Sequence, residues 1–533
     1  MPDDELPAAP QARPRGGGAV AVAAGIFLSR IAGLVRERVI AHFLGLSAAA
    51  AAFRAAMRIP NLLQNLFGEG VLSSSFIPVY ARLRAEGKHE EAARVARVIG
   101  TLLALVASTL AALGVLASDV LVDLLAPGFD EATRELTVRL VQIMFPGIAL
   151  LVMSAWCLGV LNSHNRFFLT YVSPVLWNAA IIATAIFAGR RLAGHDDDIA
   201  TWLAWGTVIG AAAQFLVQLP TVIALLKGFT PSLAMNDGVR TTLKNFVPIV
   251  IGRGSVQISA YVDQVLASFL GEAIVAAMFN AQTLYMLPVS LFGMAISAAE
   301  LPAMSGTAGD EEARTKHVRD RLRNSLRRVV FLVVPSAVAF VAIGGSIVGL
   351  LFQTGRFGAH DTEIVWIVLA GSALGLAAST QGRLLASALY ALGDPRAPLY
   401  AALARVGVGI TAGWAVVMPL REALGYSAAW GAFGLTAAAS LAAWIEFGLL
   451  LRWIKQRIGS AGIPVELAFG ALAASVLAGA AGYGAGRLAT EVGAPMWTSA
   501  IVACGVFGGV YLVAMAAASV PEARAFIRRL SRR

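Results

Sequence analysis

The sequence predicts an all-α polytopic membrane protein of fourteen transmembrane helices, arranged as two parallel six-helix lobes plus two C-terminal helices. Three observations carry this expectation. Of 533 residues, 58% are hydrophobic and 14% charged, with a mean hydropathy of +0.72, whereas a soluble domain needs about 25% charged residues to cover itself in water. Apolar runs long enough to cross a bilayer, about 20 residues, recur along the chain. Lys and Arg favour every second connection between those runs.

Taken in order, residues 1–18 are rich in Pro, Arg and Gly and read as a disordered tail, because the apolar run after them continues past any cleavage site. The first lobe, 19–228, opens with apolar segments 19–45 and 47–67, followed by a connection carrying Arg82, Arg84, Lys88, Arg94 and Arg97. Segments 94–117 and 135–163 flank Arg134 and lead to Arg166; segments 167–189 and 199–226 flank Arg190 and Arg191 and lead to Lys227. The second lobe, 240–455, begins with Arg240 and Lys244 and contains segments 243–270 and 273–304, after which comes a basic run from Arg314 to Arg328. Segments 327–353 and 364–392 flank Arg356 and lead to Arg396; segments 397–419 and 424–451 flank Arg421 and lead to Arg452, Lys455 and Arg457. Segments 463–487 and 495–519 close the membrane part, and 520–533 is a basic tail. Basic residues thus mark the connections after even-numbered segments, which places both termini in the cytoplasm. The net charge of +10 is therefore topology and not a nucleic-acid footprint. Cys157 and Cys504 each lie in an apolar run and read as packing residues, so neither a disulfide nor a metal site is expected.

An internal repeat supports the two lobes. Glu37-Arg38-Val39-Ile40-Ala41-His42-Phe43-Leu44-Gly45 resembles Asp263-Gln264-Val265-Leu266-Ala267-Ser268-Phe269-Leu270-Gly271. Leu66-Phe67-Gly68 recurs as Leu291-Phe292-Gly293 at the same offset to within one residue, each followed by a proline, Pro78 and Pro302. Six segments separate the copies, and an even spacing preserves orientation, so the repeats should be parallel, a transporter arrangement. The last two segments have no partner in the repeat.

Arginines inside apolar segments are the candidate site. One at mid-bilayer costs about 2.5 to 3.5 kcal/mol on insertion scales. Arg38, Arg139 and Arg383 are assigned to snorkelling or structural pairing. Arg30 and Arg36 sit well inside the first segment, while Arg54, Arg58 and Asn61 fall at i, i+4 and i+7 and share one face of the second. Glu69, between Gly68 and Gly70, is a candidate gate or a solvated acid. Guanidinium binds phosphate through two parallel hydrogen bonds and keeps its charge when desolvated, so a basic interior points to an anionic, phosphate-bearing cargo. Acids within the segments are few, chiefly Glu37, Asp263, Glu300 and Glu446, which argues against a proton relay.

Phe27-Leu28-Ser29-Arg30-Ile31-Ala32-Gly33-Leu34-Val35-Arg36-Glu37, Arg58-Ile59-Pro60-Asn61-Leu62-Leu63, Phe67-Gly68-Glu69-Gly70 and Ser75-Phe76-Ile77-Pro78 resemble the start of the MurJ (MviN) family of lipid II flippases, within the multidrug/oligosaccharidyl-lipid/polysaccharide exporter superfamily. The resemblance implies alternating access to a cationic cavity, export of the lipid-linked peptidoglycan precursor across the bacterial inner membrane for cell-wall synthesis, and a groove for the polyprenyl tail on the last two helices. By position, Ser29, Arg30, Arg36, Asn61 and Glu69 match cavity or gate residues, and Glu37 replaces a family Asp at the gate. Ala51, Gln64 and Thr283 stand where the family often carries charge. Arg54, Arg58 and Arg253 are the candidates to restore it. Some members look as if they bind sodium through an Asp of the seventh segment; here Asp263 is expected to pair with Arg405 instead.

No Gly-x4-Gly-Lys-Ser/Thr loop is present, so no cofactor is expected and the membrane potential is the expected driving force. The expected partners are lipid II and membrane lipids, with no nucleic acid and the chain a monomer. Another polyprenyl-diphosphate glycan is the alternative cargo. A polyprenyl-phosphate glycosyltransferase is less favoured, because its only acidic cluster, beside His195 at Asp196-Asp197-Asp198, reads as a solvated loop. A drug exporter is disfavoured by the arginine-rich first lobe.

Overall fold

The computed structural model describes residues 16–294, 296–297, 300, 303–304, 311–394, 396–459 and 465–530. Regular structure among them is helical. The helices are α1 (Gly16–Leu44), α2 (Ala48–Phe67), α3 (Glu69–Ala85), α4 (His89–Leu116), α5 (Ser118–Leu125), α6 (Glu131–Ser163), α7 (Phe167–Arg191), α8 (Asp196–Leu225), α9 (Asp237–Ser268), α10 (Glu272–Pro288), α11 (Glu311–Ala342), α12 (Gly344–Phe352), α13 (Ala359–Ala373), α14 (Leu376–Ala391), α15 (Arg396–Ala415), α16 (Arg421–Leu424), α17 (Ala428–Ile458), α18 (Val465–Glu491), α19 (Met496–Ala517) and α20 (Pro521–Leu530). π-helical stretches extend α10 over Val289–Met294 and α15 over Val416–Leu420. The tail expected over 1–18 lies outside the described residues up to residue 15, and Pro302 of the repeat lies outside them too.

Among the described residues, ten helices are long and apolar enough to cross a membrane, or eleven with α13 and α14 taken as one bent span. They cover the third to sixth and eighth to fourteenth expected segments. The first, second and seventh are the helices α1, α2 and α9, of 29, 20 and 32 residues. α1 carries Arg30, Arg36, Glu37 and Arg38, and α2 carries Arg54 and Arg58. The expected ninth segment begins late, since α11 runs through the basic stretch from Glu311 before entering the apolar part; Arg, Lys and Glu are good helix formers.

The chain divides into two units, Met1–Ile258 and Ser259–Arg533, with the division inside α9. In the first unit α6 is the central helix, 72% of its most apolar window being buried, and it packs against α2, α3, α4 and α8, while α7 packs against α1 and α8. Buried Trp156 of α6 donates its Nε1–H to the Ala96 carbonyl at 3.0 Å, and a Cβ at Gly100 would stand 2.8 Å from the same ring. Absence of that Cβ is what lets α4 and α6 approach. Gln214 of α8 donates to Ser154 Oγ of α6 at 2.9 Å, and Gln218 donates to Ser154 at 3.1 Å and to Ser173 of α7. Amides thus cross-link α6, α7 and α8 where lipid offers no partner.

In the second unit α15 and α17 pack along each other, α14 lies against α17 and α11, and α18 and α19 form a hairpin whose α18 lies on α11. Val330, Phe331, Ala339, Ala471, Ala478, Phe507 and Met515 share one buried cluster there. Tyr511 donates to the Phe331 carbonyl at 2.7 Å. Between α13 and α14 the chain bends by 42°. Such a break leaves carbonyls at the end of α13 without helical partners, a cost of several kcal/mol each in lipid. Residues one turn apart on α17 reach this stretch: Ser440 Oγ donates to the Gly371 carbonyl at 2.8 Å and Trp444 Nε1 to the Leu374 carbonyl at 2.9 Å, while Thr436 Oγ1 stands 3.2 Å from the Val368 carbonyl and 3.0 Å from the Phe433 carbonyl of its own helix.

The sequence repeat has a backbone counterpart. Gly45 and Gly271, the last residues of the two copies, both take positive φ, 57° and 112°, in the turns after α1 and α9. Glycine takes such conformations at no steric cost.

Candidate functional site

Arg36 and Glu37 are adjacent on α1, and Arg54 lies one turn beyond Ala51 on α2. The α1–α2 turn is set by Gly45 and by Ser47, whose hydroxyl accepts from the Ala50 amide at 3.3 Å and caps α2. This tight hairpin brings the three side chains together. Glu37 Oε1 accepts from Arg36 Nε at 2.9 Å and Nη2 at 2.6 Å, and Glu37 Oε2 accepts from Arg54 Nη1. Glu37 is 1% exposed and Arg54 3%. A buried carboxylate between two guanidiniums is the arrangement that makes desolvation of both tolerable. Here two guanidiniums share one carboxylate.

Two residues of α7 complete the cluster. Arg36 Nη1 donates to Asn178 Oδ1 at 3.0 Å, and its guanidinium carbon stands 4.8 Å from the centre of the Trp177 ring. Sequence reasoning passed over both, since an amide and an indole within an apolar helix carry no charge to mark them. Their neighbourhood, Ser173-Pro174 within the same run, was the available signal.

The other candidates lie as follows. Ser29 is half-buried and Arg30 exposed, one to two turns before Arg36 on α1 and outside the hydrogen-bonded cluster; Arg58 and Asn61 are half-buried farther along α2. Glu69 is the first residue of α3 and Arg253 falls within α9, but both side chains lie outside the described residues. The ion pair expected between Asp263 and Arg405 is corrected: Arg405 Nη1 donates to Glu446 Oε2 at 2.9 Å. The reason is packing, because α15 and α17 run side by side and bring Glu446 within reach. Among the described residues, no group of three or more His, Cys, Asp and Glu is placed to hold a metal ion, and both cysteines are free thiols, Cys157 buried.

A second polar cluster lies where α3 meets the α6–α7 turn. Tyr80 Oη and His164 Nε2 are 2.9 Å apart, and Arg84 donates to the Ser163 carbonyl. Burial, aided by Arg84, Arg166 and His89, pushes the His164 imidazole down to about 4, and burial pushes the Tyr80 phenol up to about 12. His164 is thus a neutral hydrogen-bond partner at physiological pH.

Residues 40–504 match a family described as lipid II flippase MurJ. A lipid II flippase MurJ from Burkholderia cenocepacia is 33% identical over 384 residues, 70% of this chain and 73% of that protein. A probable lipid II flippase MurJ from Rhizobium meliloti is 29% identical over 510 residues, 92% of this chain and 91% of that protein. In fold, the chain is similar to a solved lipid II flippase MurJ in an inward closed conformation, with a TM-score of 0.76, 23% identity and coverage of 96% and 99% of the two chains. It is also similar to an inward-facing multidrug resistance MATE transporter of the MOP superfamily, with a TM-score of 0.64, 16% identity and coverage of 83% and 98%.

Proposed function

Because the chain belongs to the lipid II flippase MurJ family, we propose that it carries lipid II from the cytoplasmic to the outer leaflet of the bacterial inner membrane by alternating access. It is a transporter and not an enzyme, and the diphosphate of the cargo is the group its interior must shield. The observation that supports this reading is the buried Arg36–Glu37–Arg54 cluster, with two cations to one anion. Arginine keeps its charge when desolvated and binds phosphate oxygens in pairs. Two guanidiniums are complementary to a diphosphate, whereas a cationic drug would be repelled.

Both termini lie in the cytoplasm on this reading, following the basic connections. Outward movement of an anionic headgroup across a potential negative inside gains about 2.3 kcal/mol per charge per 100 mV, so the membrane potential suffices as the driving force for a monomer without a nucleotide site. The test is complementation of a bacterium depleted of its own lipid II flippase, scored by surface exposure of labelled lipid II. Restored growth with surface labelling is the expected result. Growth failure despite membrane insertion, or growth without lipid II at the surface, would overturn it and leave another polyprenyl-diphosphate glycan as the cargo.

A further inference from the structure

We propose that Trp177 and Asn178 of α7 are positioning residues for the diphosphate of the cargo: they fix the Arg36 guanidinium in place without neutralising it. This inference rests on lipid II being the cargo. Each nitrogen of Arg36 is directed. Nε and Nη2 donate to Glu37 Oε1, Nη1 donates to Asn178 Oδ1, and the plane lies against the Trp177 ring. Guanidinium has five N–H donors, so two remain for phosphate oxygens. The Arg36 side chain is 12% exposed, while those of Glu37 and Arg54 are each 2% exposed, which makes Arg36 the member of the cluster an incoming group meets first.

The α7 pair is itself locked. Asn178 Nδ2 donates to the Pro174 carbonyl at 3.0 Å, which leaves only its oxygen for Arg36. Trp177 Nε1 donates to the Thr207 carbonyl at 3.2 Å, and a Cβ at Gly210 would stand 2.9 Å from its ring, so α8 holds the indole from behind. Both partners are neutral. An aspartate at position 178 would hold Arg36 equally well in shape, yet set a second carboxylate against its charge. Pre-organised donors lose less freedom when a ligand arrives, and a neutral aromatic face and amide provide that order while the charge stays available to the cargo.

The experiment uses the full chain in vesicles of phosphatidylethanolamine and phosphatidylglycerol with fluorescent lipid II, reading both binding and translocation. N178D should weaken lipid II binding about tenfold or more, the size of effect expected from one unit charge a few ångströms away in a protein site. The double variant E37Q/N178D returns the cluster to two cations and one anion, and should bind more tightly than N178D alone. W177L should lose binding and W177F recover it, because Phe keeps the aromatic face and lacks only the indole N–H. Unchanged binding in N178D, a double variant that binds no more tightly than N178D, or W177F failing as W177L does would each overturn the proposal, since those are the results of a purely structural role. Wild-type protein that does not move lipid II would instead bring down the cargo assignment, and this inference with it.

Discussion

Glu37 carries more of the site than its neighbours do. Two arginines converge on its carboxylate, both it and Arg54 being closed to solvent. Removing the carboxylate leaves two buried like charges, and losing one partner of a buried pair costs about 3 to 5 kcal/mol. Glu37→Ala should therefore lower the unfolding midpoint in detergent strongly and abolish complementation, while Glu37→Asp keeps the charge and loses less; equal stability of the two variants would contradict the assignment. His164 gives a separate pH signature. Its folded pKa of about 4 lies below the ordinary 6.5, so the unfolded chain binds the proton more readily and stability rises with pH between those values. Thermal midpoints should fall as pH drops from 6.5 towards 4, and His164→Gln should flatten that part of the curve. The arginines and Glu37 were legible in the sequence because charge within an apolar run is rare. Asn178 was not, since its tie to Arg36 spans 142 residues of chain and leaves no local pattern.

At the level of elements, helix positions followed from hydropathy. The bend between α13 and α14 did not follow. Ala373-Leu374-Gly375-Leu376 reads as continuous apolar helix with no proline, and the break exists because α17 offers donors across the interface. A Cβ at Gly375 would stand 2.7 Å from the Ser440 backbone. Gly375→Ala should destabilise the second unit by about 1 to 3 kcal/mol, as overpacking does. Trp444→Phe keeps the bulk and removes the donor to Leu374, which should cost about 1 kcal/mol. Denaturant unfolding of the purified chain checks both, and a neutral Gly375→Ala would show that the helices have room to separate. The pairing of Arg405 was likewise a matter of elements: Glu446 was visible as a membrane acid, but its alignment with α15 is fixed by helix packing alone.

For the whole molecule, the repeat was readable because one backbone requirement, a glycine of positive φ after α1 and after α9, is imposed twice. Charge asymmetry between connections was equally readable, and on the proposed topology it puts the termini on the cytoplasmic side. In vesicles with a potassium diffusion potential, lipid II export should speed up as the side bearing the termini becomes negative, by up to about fiftyfold per charge per 100 mV if all the field energy enters the barrier. A rate indifferent to potential would exclude the membrane voltage as driving force.

The donor row on α17 has a further consequence for how this chain tolerates variation. A saturation scan of α17 would normally show a tolerance map governed by side-chain volume. At Thr436, Ser440 and Trp444 the map should instead sort by chemistry. Serine and threonine should interchange at the first two positions while alanine and valine fail, and at the third phenylalanine should rank below the indole by the value of the lost N–H donor and not by its bulk. That stripe, recurring every four residues, would locate the bend in a neighbouring span from the phenotype of this helix alone.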